Sequence, residues 1–477
     1  MSSTITNLVL IALSVTLLYW AYKKFRANKI FGSLSFIILL GFILRIFVST
    51  DPYLHPWDER YHALVAKNLI SDPIVPKLYE RTILPYDYKN WTANHIWLHK
   101  PPVPLWGMSL SLFFFGTNEI AVRIPSIILS CIGIFLTFKI GSILFSERVG
   151  LLSAFFFAIH GLIIELSGGV VATDHYDIFF LFFTELSIFL ALLSVNNKRS
   201  NHFIFASGLS LGLAILCKSL PALIVVPIWL VFCYRSKHSI HKIFLQFLLL
   251  MGACLLVTVP WYGYAYYNFP VELQWSVKIM FSHMNEAIEG HNRYFLFHFD
   301  TMRIIYGELI YLPVIWIVYS SFKKSFKSNE TLLLIWIFIP YIFFTIAETK
   351  MQAYTLISAP ALFITSSIFF WHLLDKRISF KFKWINNFIM FLLIALPIRY
   401  SIERIKPFER PYKPPQWVRE IKELKKMYKG KNAVIFGSSH PVETMFYTEI
   451  TAYADVPENS TLDSLKREGY EIVLLGN

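Results

Sequence analysis

The chain has 477 residues, of which 55% are hydrophobic, 17% are aromatic and only 16% are charged. Soluble domains carry about 25% charged residues and disordered chains are still more polar, so both classes are excluded. The formal net charge of +13 would suggest nucleic acid in a soluble protein. In a membrane protein such an excess marks the cytoplasmic loops, so no nucleic-acid binding is predicted.

Twelve apolar runs of membrane-spanning length predict an all-α polytopic membrane protein with about twelve transmembrane helices. The first run has no small-residue cleavage site and is followed by basic residues, which favours an anchor over a cleaved signal peptide. The runs are Thr4–Tyr22, Ser33–Ser49, Ile120–Phe145, Val149–Ser167, Ile178–Ser194, Phe203–Cys217, Leu220–Tyr234, Ile243–Val259, Ile304–Phe322, Leu332–Ile346, Tyr354–Leu374 and Trp384–Pro397.

Basic residues concentrate in alternate loops, and the positive-inside rule makes those loops cytoplasmic. Both chain termini then face outward. The long segments 50–104 and 261–301, together with the tail from Arg399, lie on the outer side. The basic set is Lys23, Lys24, Arg26, Lys29, Arg148, Lys198, Arg199, Arg235, Lys237, Lys242, Lys323, Lys324, Lys327, Lys376, Arg377, Lys381 and Lys383.

We divide the chain into an extra N-terminal anchor (1–32), a transmembrane core (33–398) and a small soluble tail (399–477). Short apolar strands alternate with helical stretches in the tail, which predicts a βαβαβ-like α/β module. Its predicted elements are Asn432–Phe436, Pro441–Thr448, Ile450–Val456, Thr461–Glu468 and Glu471–Leu475.

Two adjacent acids begin the first outer loop. Asp58 is predicted to cap a helix that runs from Glu59 to about Leu69. A capped helix lying on the membrane surface is the simpler interpretation, and a functional one needs partners for the acids.

Several charged residues at the outer ends of spans are candidate partners. Lys100 would lie at the bilayer surface, where it could pair with a phosphate or simply snorkel. Asp174 lies at the mouth of a helix, where an acid is often only a cap. Lys218 and Lys350 are single basic residues at the outer ends of spans, contrary to the positive-inside rule. Such cations are functional candidates. Tyr354 follows Lys350 by one helical turn.

The second long loop contains His283, Glu286, Glu289 and His291. A divalent metal stays an open alternative there, but the spacing of these residues matches no standard metal-binding motif. Acids on the outer face suit activation of an acceptor hydroxyl or amine, and cations suit a departing phosphate. The pattern therefore resembles that of an inverting glycosidase, with a carboxylate as base on one side and charge stabilisation of the departing group on the other.

The order of these motifs resembles the dolichyl-phosphate-mannose–protein mannosyltransferase superfamily, the family 39/83 glycosyltransferases with the GT-C fold. Its bacterial branch, which residues 100–193 resemble most closely, includes the lipid A aminoarabinose transferase. The resemblance covers roughly residues 33–374. The matching motifs are Asp58-Glu59, Lys100-Pro101-Pro102, Phe115–Glu119, Ala121–Ser126, Thr173-Asp174 and Lys350…Tyr354.

The resemblance implies a polyprenyl-phosphate-linked sugar donor and inverting transfer to a lipid, glycan or protein acceptor. It also implies a multi-pass protein of the inner membrane, with its active site and tail module on the periplasmic side. The implied catalytic residues are Asp58, Glu59 and Asp174. The residues expected to bind donor phosphate are Lys100, Lys218, Lys350, Tyr354 and Arg293, and those expected to bind substrate are Tyr61, His99, His175 and His283.

The chain departs from the family pattern by the extra span Thr4–Tyr22 and by its short tail. Two other functions remain as alternatives. A secondary transporter would need paired repeats and broken helices near the midplane, and the sequence shows neither. A non-catalytic component of an envelope glycan pathway would not need the acids and cations described above.

Overall fold

The computed structural model describes residues 3–195, 199–323, 328–376, 383–410 and 413–475. Five residues of the basic set, Lys198, Lys324, Lys327, Arg377 and Lys381, lie outside these ranges. The described chain is a bundle of long apolar helices with a small α/β module at its C-terminal end.

The twenty α-helices within the described ranges account for most of the chain. They are α1 (Ser3–Arg26), α2 (Ile30–Val48), α3 (Asp58–Asn68), α4 (Val103–Phe115), α5 (Glu119–Leu144), α6 (Glu147–Ile159), α7 (Gly161–Ser167), α8 (Asp174–Val195), α9 (Ser200–Lys218), α10 (Val225–Arg235), α11 (Ile240–Asn268), α12 (Pro270–Ser282), α13 (Phe297–Tyr306), α14 (Tyr311–Lys323), α15 (Asn329–Ile346), α16 (Ala359–Lys376), α17 (Lys383–Ile405), α18 (Gln416–Met427), α19 (Pro441–Thr448) and α20 (Asn459–Arg467).

Nine helical segments in the described ranges are long and apolar enough to cross a membrane, and eleven if two bent pairs each count as one span. The helix Leu220–Arg235 is shorter, and it accounts for the twelfth predicted run. The pair α6–α7 is bent by 54°, and Phe297–Tyr306 is bent by 117° against Glu308–Lys323. The polytopic α-helical fold is confirmed. Hydropathy locates these two bent spans but does not reveal the change of helix direction within them.

A buried arginine ties three helices together in the middle of the bundle. Arg45 of α2 is completely buried. Its guanidinium donates to Ser130 Oγ on α5 at 2.6 Å and to the carbonyl oxygens of Gly41 and Ala158 at 2.9 and 3.0 Å. Among the described residues, hydroxyl and carbonyl oxygens and no carboxylate therefore solvate this buried cation.

The start of α3 differs from the prediction. Asp58 is the first residue of the helix, and the N-cap residue Trp57 makes no side-chain cap. Instead of capping its own helix, the Asp58 carboxylate accepts a hydrogen bond from the backbone N–H of Thr173 at 3.0 Å. The predicted cap was wrong because the Asp58 carboxylate binds the N–H of Thr173, which is distant in sequence.

The C-terminal module contains a three-stranded parallel sheet in the order β2-β1-β3. Its strands are β1 (Ala433–Phe436), β2 (Thr451–Ala452) and β3 (Glu471–Leu474). Val434 lies opposite Thr451 on one side and Ile472 on the other. Helices α19 and α20 make the two crossover connections, which confirms the predicted α/β character of the tail.

The module packs directly on the first long loop. Tyr447 of α19 donates its hydroxyl to Glu119 Oε1 at 2.8 Å and accepts from the N–H of Leu54 at 3.2 Å. Arg60 of α3 donates to Glu443 of α19 at 3.2 Å. We call the side of the bundle that carries residues 50–104, 261–301 and 413–475 the loop face.

We expect Tyr447→Phe to loosen this packing. The substitution keeps the ring but leaves Glu119 and the N–H of Leu54 without the hydroxyl, at a cost of about 1–3 kcal/mol. Thermal unfolding of the purified protein in detergent measures the change. Tyr428→Phe is the control, because Tyr428 contacts Lys431 through its ring face, at 5.2 Å. Equal unfolding temperatures in the two variants would contradict the assignment.

Candidate functional site

Asp58 lies on the loop face, at the start of α3. Besides the N–H of Thr173, it is influenced by the charges of Lys100 and His62. Burial alone would raise the pKa of Asp58, but these neighbours together hold it below the ordinary value. The carboxylate is therefore ionised at neutral pH and is able to accept a proton or to orient a hydroxyl group.

Glu59, the next residue, has a different environment. Its Oε1 and Oε2 accept from Arg123 Nε and Nη2 at 2.6 and 3.0 Å, and Oε2 also accepts from the N–H of His55 at 2.7 Å. Glu59 and Arg123 are both 0% exposed. Burial acts to raise the pKa of Glu59, but Arg123 lowers it well below the ordinary value.

The surroundings of this ion pair leave no room for a substrate. A Cβ atom on Gly169 would lie 2.3 Å from Glu59 Oε1. Arg123 Nη1 donates to the carbonyl oxygens of Ser49 and Asp51 at 2.9 and 2.7 Å, which holds the start of the loop. This geometry favours a positioning role for Glu59 over the catalytic role expected from the sequence.

Asp174 is also enclosed. It is 0% exposed, and both its carboxylate oxygens accept from His62 Nδ1, at 3.0 and 2.9 Å. Thr173 and Asp174 have positive φ values of 70° and 32°, an unusual backbone for non-glycine residues. The turn aims the N–H of Thr173 at Asp58, so Asp174 joins α8 to α3 and helps to place Asp58. This too favours positioning over direct catalysis.

A residue that the sequence analysis did not select, Asp177, completes the cluster. It lies one helical turn after Asp174, and its carboxylate accepts from the Thr173 hydroxyl and pairs with Lys218. The ammonium of Lys218 lies 4.6 Å from the centre of the Tyr354 ring. The spacing of Asp174 and Asp177 on one helix face was the available signal.

Lys100 completes the positive side of the cluster, since its charge acts on Asp58, Asp177 and Lys218. Acids and cations therefore alternate across a small area of the loop face. Such a set is able to accept a proton at one point and to compensate a phosphate charge at another.

The structure places Lys350 and Arg293 differently from the prediction. Lys350 is only 3% exposed. Its ammonium donates to the carbonyl oxygen of Ala347 at 2.5 Å, and its charge acts on His298. Arg293 is exposed on the second long segment. Lys218, and not Lys350, therefore contacts Tyr354.

The residues expected to bind substrate fall into two groups. His99 stacks on Trp91 with ring centres 4.5 Å apart, and Tyr61 meets Trp91 edge-on at 4.8 Å. Burial, followed by the charge of Lys100, lowers the pKa of His99 well below its ordinary value, so its imidazole is neutral. His283 Nδ1 donates to the carbonyl oxygen of Ile279 in α12 at 2.7 Å, and burial lowers the pKa of His283 as well.

His175 belongs to the supporting structure. It is 0% exposed, and it lies 2.8 Å from Ser126 Oγ and 3.4 Å from Glu59 Oε1. No group of three or more His, Cys, Asp or Glu side chains within the described ranges is arranged to hold a metal ion. The second-loop residues Glu286 and His291 are therefore not brought together with a third such ligand.

Comparison with known sequences gives matches over most of the chain. The family model of dolichyl-phosphate-mannose-protein mannosyltransferases matches residues 99–264. An undecaprenyl phosphate-α-4-amino-4-deoxy-L-arabinose arabinosyl transferase of Proteus mirabilis is 22% identical over 70% of this chain and 62% of its own length. Its counterpart in Wigglesworthia glossinidia brevipalpis is 22% identical over 70% and 58%. The matches thus span about three fifths of these relatives.

Solved structures have the same fold. ArnT from Cupriavidus metallidurans bound to undecaprenyl phosphate superimposes with a TM-score of 0.66, 11% identity and coverage of 93% of this chain and 90% of ArnT. The archaeal oligosaccharyltransferase AglB from Archaeoglobus fulgidus gives a TM-score of 0.57, with 14% identity and coverage of 88% and 64%. The likeness to these solved structures shows the GT-C fold, and residues 99–264 are similar to the dolichyl-phosphate-mannose-protein mannosyltransferases.

Proposed function

We propose that the protein is an integral membrane glycosyltransferase that moves a sugar from a polyprenyl phosphate to an acceptor. The observation that carries this proposal is the cluster on the loop face, in which the ionised Asp58 lies beside Lys100 and the Asp177–Lys218 pair. The named relatives act on undecaprenyl phosphate-linked aminoarabinose, and the similar ArnT structure holds undecaprenyl phosphate. Both support a polyprenyl-phosphate donor here.

The proposed reaction is a single inverting displacement. An acceptor oxygen or nitrogen attacks the anomeric carbon while the bond from that carbon to the phosphate oxygen breaks. Asp58 takes or attracts the proton that the acceptor loses. The electron pair leaves with the polyprenyl phosphate, whose developing charge Lys100 and Lys218 compensate. Tyr354 holds the ammonium of Lys218 in place through its ring face.

We further propose that the site faces the periplasm, in a protein of the inner membrane. The basis is the positive-inside bias, since Lys23, Lys24 and Arg26 end α1 and Arg235 ends α10. A lipid, glycan or protein would be the acceptor, and a hexose or pentose the transferred sugar.

We expect Asp58→Asn to lower the rate of transfer by about 10²–10⁴-fold, the usual contribution of a general base. Transfer of radiolabelled sugar from a panel of polyprenyl-phosphate sugars in membranes is the measurement. Asp72→Asn is the matched control in the same loop, because the Asp72 side chain is 35% exposed and pairs with Lys77 at 2.9 Å. Full activity of Asp58→Asn would rule out its proposed role. No turnover by the wild-type protein with any donor would favour a transporter or a non-catalytic component.

Glu59→Gln should act on stability instead. It leaves the Arg123 guanidinium buried without its counter-charge, which costs about 3–5 kcal/mol. Unfolding of the purified protein in detergent should show a large decrease in stability for Glu59→Gln and little change for Asp58→Asn. A Glu59→Gln variant as stable as the wild type but inactive would restore the catalytic interpretation.

The sequence predicts that Lys218 and Lys350 both bind donor phosphate, whereas the geometry favours Lys218. Lys218→Met removes a charge-assisted contact with the donor phosphate. Such a contact contributes about 1.5–3 kcal/mol, so kcat/KM for the donor should fall roughly tenfold to a hundredfold. Lys350→Met should change kcat/KM much less, because the Lys350 ammonium is bound to the Ala347 carbonyl. Steady-state kinetics with varied donor provides the test. The reverse ranking would show that Lys350 binds the phosphate.

A further inference from the structure

A cavity of about 210 Å³ opens between the first and second long segments of the loop face. Its walls come from residues 88–99 on one side and from residues 272–289, which include most of α12, on the other. His99 lines the cavity, and Lys100 of the proposed centre is the next residue. The cavity therefore adjoins the site where the proposed transfer takes place, and none of the proposed steps uses it.

Aromatic rings form a large part of the cavity wall. Tyr88 and Trp275 meet at 88° with ring centres 6.5 Å apart. The ammonium of Lys89 lies 5.7 Å from the Tyr88 ring and 5.5 Å from the Trp275 ring. Trp91 forms the opposite part of the wall, where its ring stacks on His99. These contacts hold flat apolar surfaces around the space.

Hydrogen-bonding groups line the same space. Trp91 Nε1 donates to Glu289 Oε1 at 2.9 Å, which fixes this carboxylate at the cavity, and Glu272 lines it from α12. Asn94 is only 4% exposed, and its Oδ1 has no hydrogen-bond partner among the described residues. A buried amide oxygen normally has a donor, so this atom indicates a bound group that supplies one.

The combination selects a class of ligand. A sugar ring presents C–H groups on its face and hydroxyl groups at its edge, so it suits an aromatic wall with acceptors around it. A lipid tail would leave the buried Asn94 oxygen without a donor. A phosphate group would meet the two carboxylates of Glu272 and Glu289, against the one ammonium of Lys89 in the cavity wall. A hydroxyl group would supply the donor that the Asn94 oxygen lacks.

From this cavity we infer a saccharide subsite in which Trp275, Trp91 and Asn94 hold one sugar ring beside the proposed centre. The inference rests on the proposed function and deepens it. The ring belongs either to the polyprenyl-linked donor or to a glycan acceptor, since both present the same hydroxyl-rich chemistry. In both cases the cavity holds the ring next to His99.

Binding of free glycosides tests the subsite without turnover. The probes are the methyl glycosides of glucose, mannose, galactose, N-acetylglucosamine and 4-amino-4-deoxyarabinose. The protein is purified in a detergent without a sugar headgroup, and saturation-transfer NMR and tryptophan fluorescence measure binding. Trp275→Ala and Asn94→Ala should each weaken binding of the preferred glycoside roughly fivefold to tenfold. Trp384→Ala, at a tryptophan 67% exposed at the start of α17, is the control and should bind normally.

Absence of saturable binding to the wild-type protein by every glycoside would overturn the inference. Equal affinities in Trp275→Ala, Asn94→Ala and the control, with all three folded, would overturn it too. Where transfer is measurable, a KM raised for the donor alone identifies the donor sugar, and one raised for the acceptor alone identifies an acceptor glycan. Glycoside binding that the two variants lose, in a protein that transfers no sugar, would support the subsite and count against the proposed transfer.

Discussion

The buried ion pair of Glu59 and Arg123 is the interaction on which the loop face depends. It joins the first turn of α3 to α5 and, through Arg123, holds the carbonyls of residues 49 and 51. Both charges are out of contact with water, so neither is tolerable without the other. Because Asp58 is adjacent in sequence to Glu59, the position of the pair also determines where Asp58 lies. A costly buried pair thus fixes a reactive carboxylate that makes few contacts itself.

The sequence predicted which charged residues lie on the same side of the bundle, but it did not predict how their side chains are oriented. Hydropathy located the spans, because burial in a bilayer requires long apolar runs. The tail pattern located the α/β module through its alternation of strands and helices. Asp58, Lys100 and Asp174 were placed in one region because each lies at the same end of a span. Which of two neighbours faces the cluster depends on helix rotation and packing, which one sequence does not record.

Particular residues show this limit. Asp58 and Glu59 look equivalent in sequence. Arg123, 64 positions after Glu59, nevertheless forms its ion pair with Glu59 and not with Asp58. Lys350 is four residues from Tyr354, but the 3₁₀ segment Gln352–Ser358 carries Tyr354 toward Lys218 instead. Asp177 was missed just before the apolar run Ile178–Ser194, although its spacing from Asp174 placed both on one helix face. In each example a contact between segments distant in the chain decided the outcome.

The packing of the tail module on the first loop has a consequence for biosynthesis. Leu54 and Tyr447, which share a hydrogen bond, are 393 positions apart, and Arg60 and Glu443 are 383 apart. The ribosome therefore synthesises α4 to α17 before Glu443 and Tyr447 exist. Until these two residues reach the first loop, the Glu59–Arg123 pair holds α3 without their hydrogen bonds. Full bracing of α3 is in this way delayed until the C-terminal module has been made.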